Sequence, residues 1–235
     1  MIRQPQDRDF QLWVENKATD IRAERRSDYW LSQMQVNPAS TIMEVGCGSG
    51  VKAYHLARKS GMNVLATDID PEYIEEAKQT FQLPNLRFNV TDSNNLNQYE
   101  KGSFDYIVGN GILHHLYHYI DAALTNMLSL LKENGKMIFI EPNIHNPFVH
   151  LIFSYPYWRK KAHLDPDEMA FSKNFITKKL IQCGYKNVKV EYKDFLLPGI
   201  PELLIKPTIM IGDVLEKIPL VRTVSQSIFI SAVKK

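Results

Sequence analysis

The chain of 235 residues is 44% hydrophobic and 23% charged, as expected of a folded globular protein that buries a sizeable core. A formal net charge of +2 lacks the strong basic excess of nucleic-acid-binding domains, so we expect no nucleic-acid partner. The two cysteines, Cys47 and Cys183, are too few and too far apart for a disulfide framework or a zinc motif. The first segment is polar and lacks the apolar run of a signal peptide. Together these features predict a cytoplasmic protein.

An N-terminal helical segment is predicted for residues 1–37, with its helix over residues 8–35. Apolar side chains recur there at intervals of three or four residues, which is typical of a helix with one buried face. From residue 38 to residue 142, runs that are typical of strands alternate with runs that are typical of helices. The predicted strands are 41–45, 63–68, 86–92, 104–110 and 136–142, and the predicted helices are 51–60, one that begins at Pro71, and 121–132.

The regular alternation stops after residue 142. A helix over residues 172–184 and strands over 187–195 and 227–235 are predicted in the remainder of the chain. Two stretches have no such regular pattern: residues 143–171 are aromatic and interrupted by prolines, and residues 198–222 are expected to form short helices between further prolines.

These elements predict one α/β domain over residues 1–235. Strands that alternate with helices form a parallel sheet with helices on both faces. Residues 38–142 are the predicted cofactor-binding core of this sheet. The two irregular stretches follow its fifth and sixth strands, so we expect them to cover the active-site edge as helical insertions.

A glycine-rich loop lies between the first strand and the first core helix, in the sequence TIMEVGCGSGVKAYHLA. In an open parallel sheet this place binds ligands, and a helix N-terminus attracts negatively charged groups. The dinucleotide fingerprint fails because its sixth position is Val51, which disfavours an NAD(P)-linked oxidoreductase, and the lysine of a P-loop is absent. The glycines alone are also explained by a tight turn.

Polar residues end consecutive strands beside this loop. Glu44, Asp68, Asp92 and Asn110 occupy these positions, and each one alone is also typical of a cap or a turn. Together they predict a nucleoside pocket, because one carboxylate can accept both ribose hydroxyl hydrogens and another can accept from an exocyclic amine.

Five motifs in this order resemble those of the class I S-adenosylmethionine-dependent methyltransferases of small-molecule type. They are EVGCGSG, ATDIDPEYIEEAK, VTDSNNL, FDYIVGNGILHHL and LKENGKMIFIEPN, and the resemblance covers residues 38–145. It implies a Rossmann-like, seven-stranded, mostly parallel sheet whose last strand is antiparallel, and S-adenosylmethionine as the cofactor. The residues that it assigns to the cofactor are Glu44, Gly46, Gly48, Gly50, Asp68, Ile69, Asp92, Ser93 and Asn110.

The same resemblance implies a role for several of these residues. The glycine loop cradles the methionine part and Asp68 takes the ribose hydroxyls. Ile69 packs on the adenine ring, which Asp92 and Ser93 also face, and Asn110 lies near the sulfonium centre.

A histidine-rich segment, GNGILHHLYHY, follows the fourth strand. The resemblance points to His115 as the general base for an acceptor that must lose a proton, and histidine titrates near neutral pH. The alternative is that this histidine orders the loop through a hydrogen bond. No metal is predicted, because no carboxylate is expected close enough to complete a ligand set with the histidines.

The acceptor is expected to meet residues outside the core. Tyr29, His114, Tyr155 and Trp158 are the substrate candidates. Aromatic side chains beside the basic run 159–161 suit a lipid-like acceptor or peripheral contact with a membrane, although the insertions could simply pack on each other as a lid. The sequence thus predicts O-, N- or C-methylation of a small or lipid-like acceptor, and the alternative is a catalytically silent binding module.

Overall fold

The sheet contains seven strands, all close to their predicted places. A computed structural model describes residues 17–197 and 199–235, so residues 8–16 of the predicted first helix and Pro198 lie outside the described part. The strands are β1 (Thr41–Val45), β2 (Asn63–Asp68), β3 (Leu86–Val90), β4 (Phe104–Asn110), β5 (Leu131–Pro142), β6 (Lys186–Lys193) and β7 (Ser227–Val233).

The strands are ordered β3–β2–β1–β4–β5–β7–β6 across the sheet. The first five strands pair in parallel, and β7 runs antiparallel to both of its neighbours, β5 and β6. This topology confirms the predicted seven-stranded, mostly parallel sheet with an antiparallel last strand.

Helices cover both faces of the sheet, and each face has its own apolar core. One face packs Trp30, Leu56 and Ile74 of the first three described helices against Ile42 and neighbouring strand residues. Burying a large apolar side chain of this kind stabilises the fold by roughly 1.5–3 kcal/mol. The helices are α1 (Lys17–Ser32), α2 (Val51–Ser60), α3 (Pro71–Thr80), α4 (Ile120–Leu130), α5 (Pro147–Ser154), α6 (Pro156–Lys161), α7 (Lys173–Gln182) and α8 (Glu202–Leu215).

Local signals in the sequence set the helix ends. The carboxylate of Asp70 accepts the N–H of Glu72 at 2.8 Å, and Pro71 occupies the first helical position of α3, as predicted. Gly61 ends α2 at a φ of 68°, a left-handed conformation that costs glycine little. At the start of α7, the hydroxyl of Ser172 accepts the N–H of Phe175 at 3.2 Å.

Several predictions about element bounds were wrong. β5 begins at Leu131 rather than at residue 136, because Leu131 pairs with Phe104 of β4 before a register shift. β6 and β7 each end two residues before their predicted ends, at residues 193 and 233.

The third strand ends at Val90, two residues early, because the Asp92 side chain accepts the N–H of Asn94 at 2.8 Å and starts a turn. Residues 198–222 contain the continuous helix α8, which runs through Pro207, rather than only short helices between prolines. The cost of an internal proline, about 3 kcal/mol, is offset by packing such as that of Ile205 on Leu196.

The topology brings distant parts of the chain to one edge of the sheet. The carboxyl ends of β1, β2, β4 and β5 lie there, and the loop after β6 and the first residues of β7 reach the same edge because β7 is antiparallel. Parallel sheets of this kind bind ligands at the carboxyl edge.

Candidate functional site

The three glycines of the loop after β1 all have left-handed backbone angles, with φ of 68°, 53° and 80° at Gly46, Gly48 and Gly50. A Cβ at Gly46 would lie 2.9 Å from the side chain of Ile112, and one at Gly50 would lie 2.7 Å from Phe88. A Cβ at Gly48 would meet nothing within 4 Å. The outer glycines are therefore required by packing, and the middle one leaves an open face.

Asp68 ends β2 beside this open face. Its carboxylate accepts the N–H of Gly48 at 2.7 Å and the N–H of Asp70 at 3.1 Å, so two backbone hydrogen bonds hold it in place. The next residue, Ile69, is 58% exposed although it is a large apolar side chain. A fixed carboxylate next to an exposed apolar surface suits a ribose with its adenine.

The other residues assigned to the cofactor lie at the same edge. Ser93 is buried, whereas Asp92 is exposed and its side chain is occupied by its own turn. The amide oxygen of Asn110, at the end of β4, accepts a hydrogen bond from the Arg26 guanidinium at 2.7 Å. Asn110 is thus connected to the N-terminal helix, a contact that the sequence pattern does not indicate.

Glu44 is the most unusual group of this cluster. Its side chain is fully buried on β1, and neither carboxylate oxygen has a hydrogen-bond partner in the described part of the protein. Burial raises the pKa of this carboxyl to about 8; the charge of Lys52 opposes the rise and that of Asp68 adds to it. A carboxylate left without donors fits a ligand that brings its own donor, such as the ammonium group of S-adenosylmethionine.

A second cluster is centred on the buried imidazole of His114. Its Nδ1 lies 2.9 Å from Oε2 of Glu141, a fully buried carboxylate near the end of β5. The same carboxylate accepts the backbone N–H groups of Ile112, Leu113 and His114 at 3.0, 2.8 and 3.3 Å. Glu141 therefore fixes both the backbone and the ring of this segment.

His115, the predicted base, pairs with another carboxylate. Its Nδ1 lies 3.1 Å from Oε1 of Glu168, and its side chain is 43% exposed. Burial lowers the pKa of His115, but the hydrogen bond and charge of Glu168 with the charge of Glu141 raise it by more, so the pKa lies above its usual value. Burial raises the pKa of Glu168, but the hydrogen bond and charge of His115 lower it by more. The pKa of Glu168 therefore lies below its usual value.

The expectation that no carboxylate lies near the histidines was wrong. The ligand atoms of His114, His115 and Glu168 lie within 4.8 Å of one another, a set with the residue types of a metal site. Glu168 lies near the end of the insertion 143–171, more than 50 residues after the histidines, so its approach to them is a tertiary contact that residue spacing cannot reveal. Because each imidazole already has a carboxylate partner, hydrogen bonding accounts for the cluster, and we keep the prediction that it holds no metal.

A pocket of about 210 Å³ opens beside His114. Gly111 and Phe153 line it, and both lie beside the His114 ring. A Cβ added to Gly111 would lie 3.6 Å from the Cε1 atom of His114. The ring centroids of Phe153 and His114 are 5.7 Å apart. The lining residues come from α1, β5, α5, the start of β7 and the loops after β4 and β6. They are Arg22, Arg26, Gly111, Ile140, Glu141, Pro142, Phe148, Val149, Ile152, Phe153, Leu197, Gln226 and Ser227.

The other predicted substrate residues lie away from this lining. Tyr29 packs edge-on against Phe229 of β7, with ring centroids 4.5 Å apart. Tyr155 is 52% exposed and Trp158 lies under the ammonium of Lys161 at 5.3 Å. The aromatic insertion does reach the pocket, but through α5, whose residues precede the predicted ones.

Arg159 has a structural role that the basic run in the sequence does not reveal. Its guanidinium donates to the backbone carbonyls of Phe153, Asp165, Pro166 and Glu168 at 2.7–3.1 Å. These bonds hold the segment that carries Glu168 against the end of α5. Within the described residues, no helix has both the length and the apolar character needed to cross a membrane.

The sequence analysis missed four functional candidates: Glu141, Glu168, Arg22 and Arg26. Glu141 had a usable signal, because it is an acidic residue at the end of an otherwise apolar strand. The two arginines lie on a charged face of the predicted first helix, and the sequence does not show which element that face meets.

Comparisons with known proteins agree with this geometry. A family model described as a methyltransferase domain matches residues 37–182. The highly reducing polyketide synthase frbB of Dothideomycetidae sp. (strain 11243) is 28% identical over 198 residues, which are 78% of this chain and 8% of the synthase. The chain therefore spans less than a tenth of that relative's length.

Two solved structures share the fold over most of the chain. A S-adenosylmethionine-dependent methyltransferase from Archaeoglobus fulgidus has a TM-score of 0.66 at 17% identity, covering 92% of this chain and 94% of that one. The CurJ carbon methyltransferase has a TM-score of 0.63 at 18% identity, covering 96% of this chain and 57% of that one. At such identities the likeness concerns the fold.

Proposed function

Because this chain belongs to the S-adenosylmethionine-dependent methyltransferases, we propose that it methylates a small-molecule acceptor that must lose a proton, with His114 as the general base and Glu141 as a positioning residue. S-adenosylmethionine supplies a methyl group that is already activated by the positive charge on sulfur. The protein has to align the acceptor, exclude water and take the proton.

The pairing of His114 with Glu141 is the observation that carries this proposal. Glu141 accepts three backbone N–H groups and therefore acts as an acceptor toward the ring as well. The Nδ1 of His114 then carries the ring hydrogen, which leaves a lone pair on Nε2. Glu168, whose Oε2 lies 3.7 Å from Nε2, stabilises the imidazolium that forms when this nitrogen takes a proton.

His115 is less suited to the same task. Its Nδ1 is occupied by Glu168, and its raised pKa favours the protonated form, which cannot accept a proton. We therefore propose His114 in place of His115 as the base, and give His115 the role of holding Glu168 near it.

Two of the similar proteins favour a carbon acceptor. The relative described above is a polyketide synthase and one structural neighbour is a carbon methyltransferase. A carbon acid next to a carbonyl group loses a proton as it is methylated, which requires a base of the kind that His114 provides. An amine acceptor already has a lone pair and does not need this base.

The cofactor roles form the second part of the proposal. Asp68 accepts the ribose hydroxyls, Glu44 accepts a donor from the methionine part, and Asn110 lies near the sulfonium centre. Their support is the fixed carboxylate of Asp68, the unpartnered carboxylate of Glu44 and the position of Asn110 at the end of β4.

Release of S-adenosylhomocysteine from a panel of acceptors tests the proposal. The panel contains a β-ketoacyl thioester, a phenol and a primary amine of similar size. We expect turnover of the thioester, a loss of about 10²- to 10⁴-fold in kcat for His114→Asn, and a much smaller loss for the matched variant His115→Asn. Unchanged turnover in His114→Asn would remove His114 as the base, and cofactor binding without any turnover would favour a silent binding module.

A further inference from the structure

Two buried arginines form one wall of the pocket beside His114. Arg22 and Arg26 lie one turn apart on α1, and each side chain is only 14% exposed. Removing a guanidinium from water is costly unless opposite charge and hydrogen-bond acceptors replace the water.

The protein supplies less opposite charge than these two groups require. Asp194, in the loop after β6, lies 2.8 Å from Arg26 and 3.5 Å from Arg22, and within the described residues it is the carboxylate that pairs with either of them. Their other side-chain partners within the described residues are neutral: Asn110 and Ser227 accept from Arg26, and Gln226 accepts from Arg22 at 3.2 Å.

The arginines are under-compensated in hydrogen bonds as well as in charge. The Nε–H groups of Arg22 and Arg26 have no acceptor in the described part of the protein. Burial and the charge of Arg26 lower the pKa of Arg22, and the pairing with Asp194 opposes them in part. The net result is a pKa of about 10. The wall therefore carries an excess of about one positive charge.

The rest of the pocket is apolar or already neutralised. Phe148, Val149 and Ile152 of α5 line the pocket together with Leu197. The charge of Glu141 is met by three backbone N–H groups and by His114. An occupant that suits this pocket has an apolar body and one negative charge. A phosphate monoester carries two negative charges, which is more than the single excess positive charge of the arginines.

We propose that this pocket binds the acceptor through a carboxylate group, with Arg22 as the main ionic partner and Arg26 fixed beside it by Asp194. This inference rests on the proposed function for the identity of the occupant as the acceptor. With the carboxylate at α1 and the apolar body on α5, the opposite end of the molecule lies toward Gly111 and His114, where the proton is taken. The substrate class is thus a small acyl compound, such as a β-ketoacyl thioester, that also carries a free carboxylate.

Binding of hexanoate and hexanol to the full chain without cofactor tests this site independently of methyl transfer. Saturation-transfer NMR titrations give the dissociation constants. We expect hexanoate to bind the wild type at least about tenfold more tightly than hexanol, as a charge-assisted hydrogen bond implies. Hexyl phosphate should bind no better than hexanoate.

Variants on α1 separate the ionic contact from general effects on the helix. Arg22→Gln should lose roughly tenfold to hundredfold in hexanoate affinity and leave hexanol unchanged, and Arg22→Lys should keep most of the hexanoate affinity. Arg25→Gln is the matched control, because Arg25 pairs with Asp213 at the surface. Equal affinity for hexanoate and hexanol, or an Arg22→Gln variant that melts like wild type and binds hexanoate equally well, would overturn the carboxylate site. Such a result would leave the base function of His114 untouched.

Discussion

Two parts of the carboxyl edge of the sheet are built in different ways. They are the proposed cofactor edge, formed by the ends of β1 and β2, and the proposed acceptor edge, formed around the end of β5. At the cofactor edge Asp68 bonds Gly48, a partner 20 residues away. At the acceptor edge Arg26 bonds Asp194 and Ser227, which are 168 and 201 residues away. The first site is assembled by neighbouring βα units, and the second by elements from opposite ends of the chain.

This difference determines how each edge depends on its residues. The cofactor edge relies on backbone geometry, because glycines and backbone N–H groups define it. The acceptor edge relies on ion pairs and hydrogen bonds between residues that are far apart in the sequence. Changes at one edge should therefore leave binding at the other largely intact.

The largest expected effect concerns the glycine loop. Gly50→Ala places a Cβ 2.7 Å from Phe88 at a φ of 80°, so we expect a loss of about 3 kcal/mol in the free energy of unfolding. Gly48→Ala has the backbone strain without the clash, so about 1 kcal/mol is expected. Urea unfolding of both variants measures these losses. Equal losses of unfolding free energy would contradict the conclusion that a Cβ is excluded by packing at Gly50 but not at Gly48.

The next effect tests the independence of the two edges. Asp68→Ala removes the proposed acceptor for the ribose hydroxyls, so affinity for S-adenosylmethionine should fall roughly 30- to 100-fold by isothermal titration. Hexanoate binding should be unchanged in this variant, and Arg22→Gln should show the reverse pattern. Glu72→Gln, on the first turn of α3, serves as a control of similar location. Parallel losses of both ligands in either variant would show that the edges are coupled.

The sequence predicts the secondary-structure elements of the proposed cofactor edge well because their signals are local. The strand TIMEV, the helix that begins at Val51 and the cap at Asp70 each depend on a few adjacent residues, and all three lie where they were predicted. The pattern of polar residues at strand ends follows from the parallel topology, so a correct topology is sufficient to bring them together.

The residues that line the pocket beside His114 were not identified from the sequence, and the reason is physical. Which insertion residue faces the pocket depends on how α5 packs, and the aromatic run offers Phe153 and Tyr155 equally until the helix is placed. The approach of Glu168 to the histidines depends on four backbone bonds from Arg159. Residue type and spacing do not encode contacts of this kind.

A third prediction concerns the buried carboxyl of Glu44. Its pKa is raised to about 8 from an ordinary value of 4.5, so the folded state binds a proton more tightly than the unfolded state. The contribution of Glu44 to the free energy of unfolding is fully present below pH 4.5 and is lost as the pH rises toward 8. The loss is on the order of a few kcal/mol.

The variant Glu44→Gln removes this titration. Its free energy of unfolding should therefore change less between pH 5 and pH 8 than that of the wild type, while its affinity for S-adenosylmethionine falls. Urea unfolding at several pH values measures the difference. The same pH dependence in both proteins would show that Glu44 does not titrate in this range.

The smallest expected effect concerns membranes. Tyr157 is 69% exposed next to Lys160 and Lys161, a pattern that suits peripheral contact with anionic lipid, at about 1 kcal/mol per lysine. In flotation with phosphatidylserine vesicles, joint replacement of Trp158, Lys160 and Lys161 by alanine should reduce the bound fraction. Replacement of Lys186 and Lys189 on β6 should not reduce it. A wild type that does not float would remove the membrane contact from the account.

The claim that His114 acts as a base held by Glu141 is tested most directly by a double-mutant cycle on kcat, with a β-ketoacyl thioester as the acceptor. If Glu141 acts through His114, Glu141→Gln should lower kcat about 10- to 100-fold in the wild type and have almost no further effect in His114→Asn. Losses that multiply in the double variant would contradict the account, because they would show that the two residues act independently.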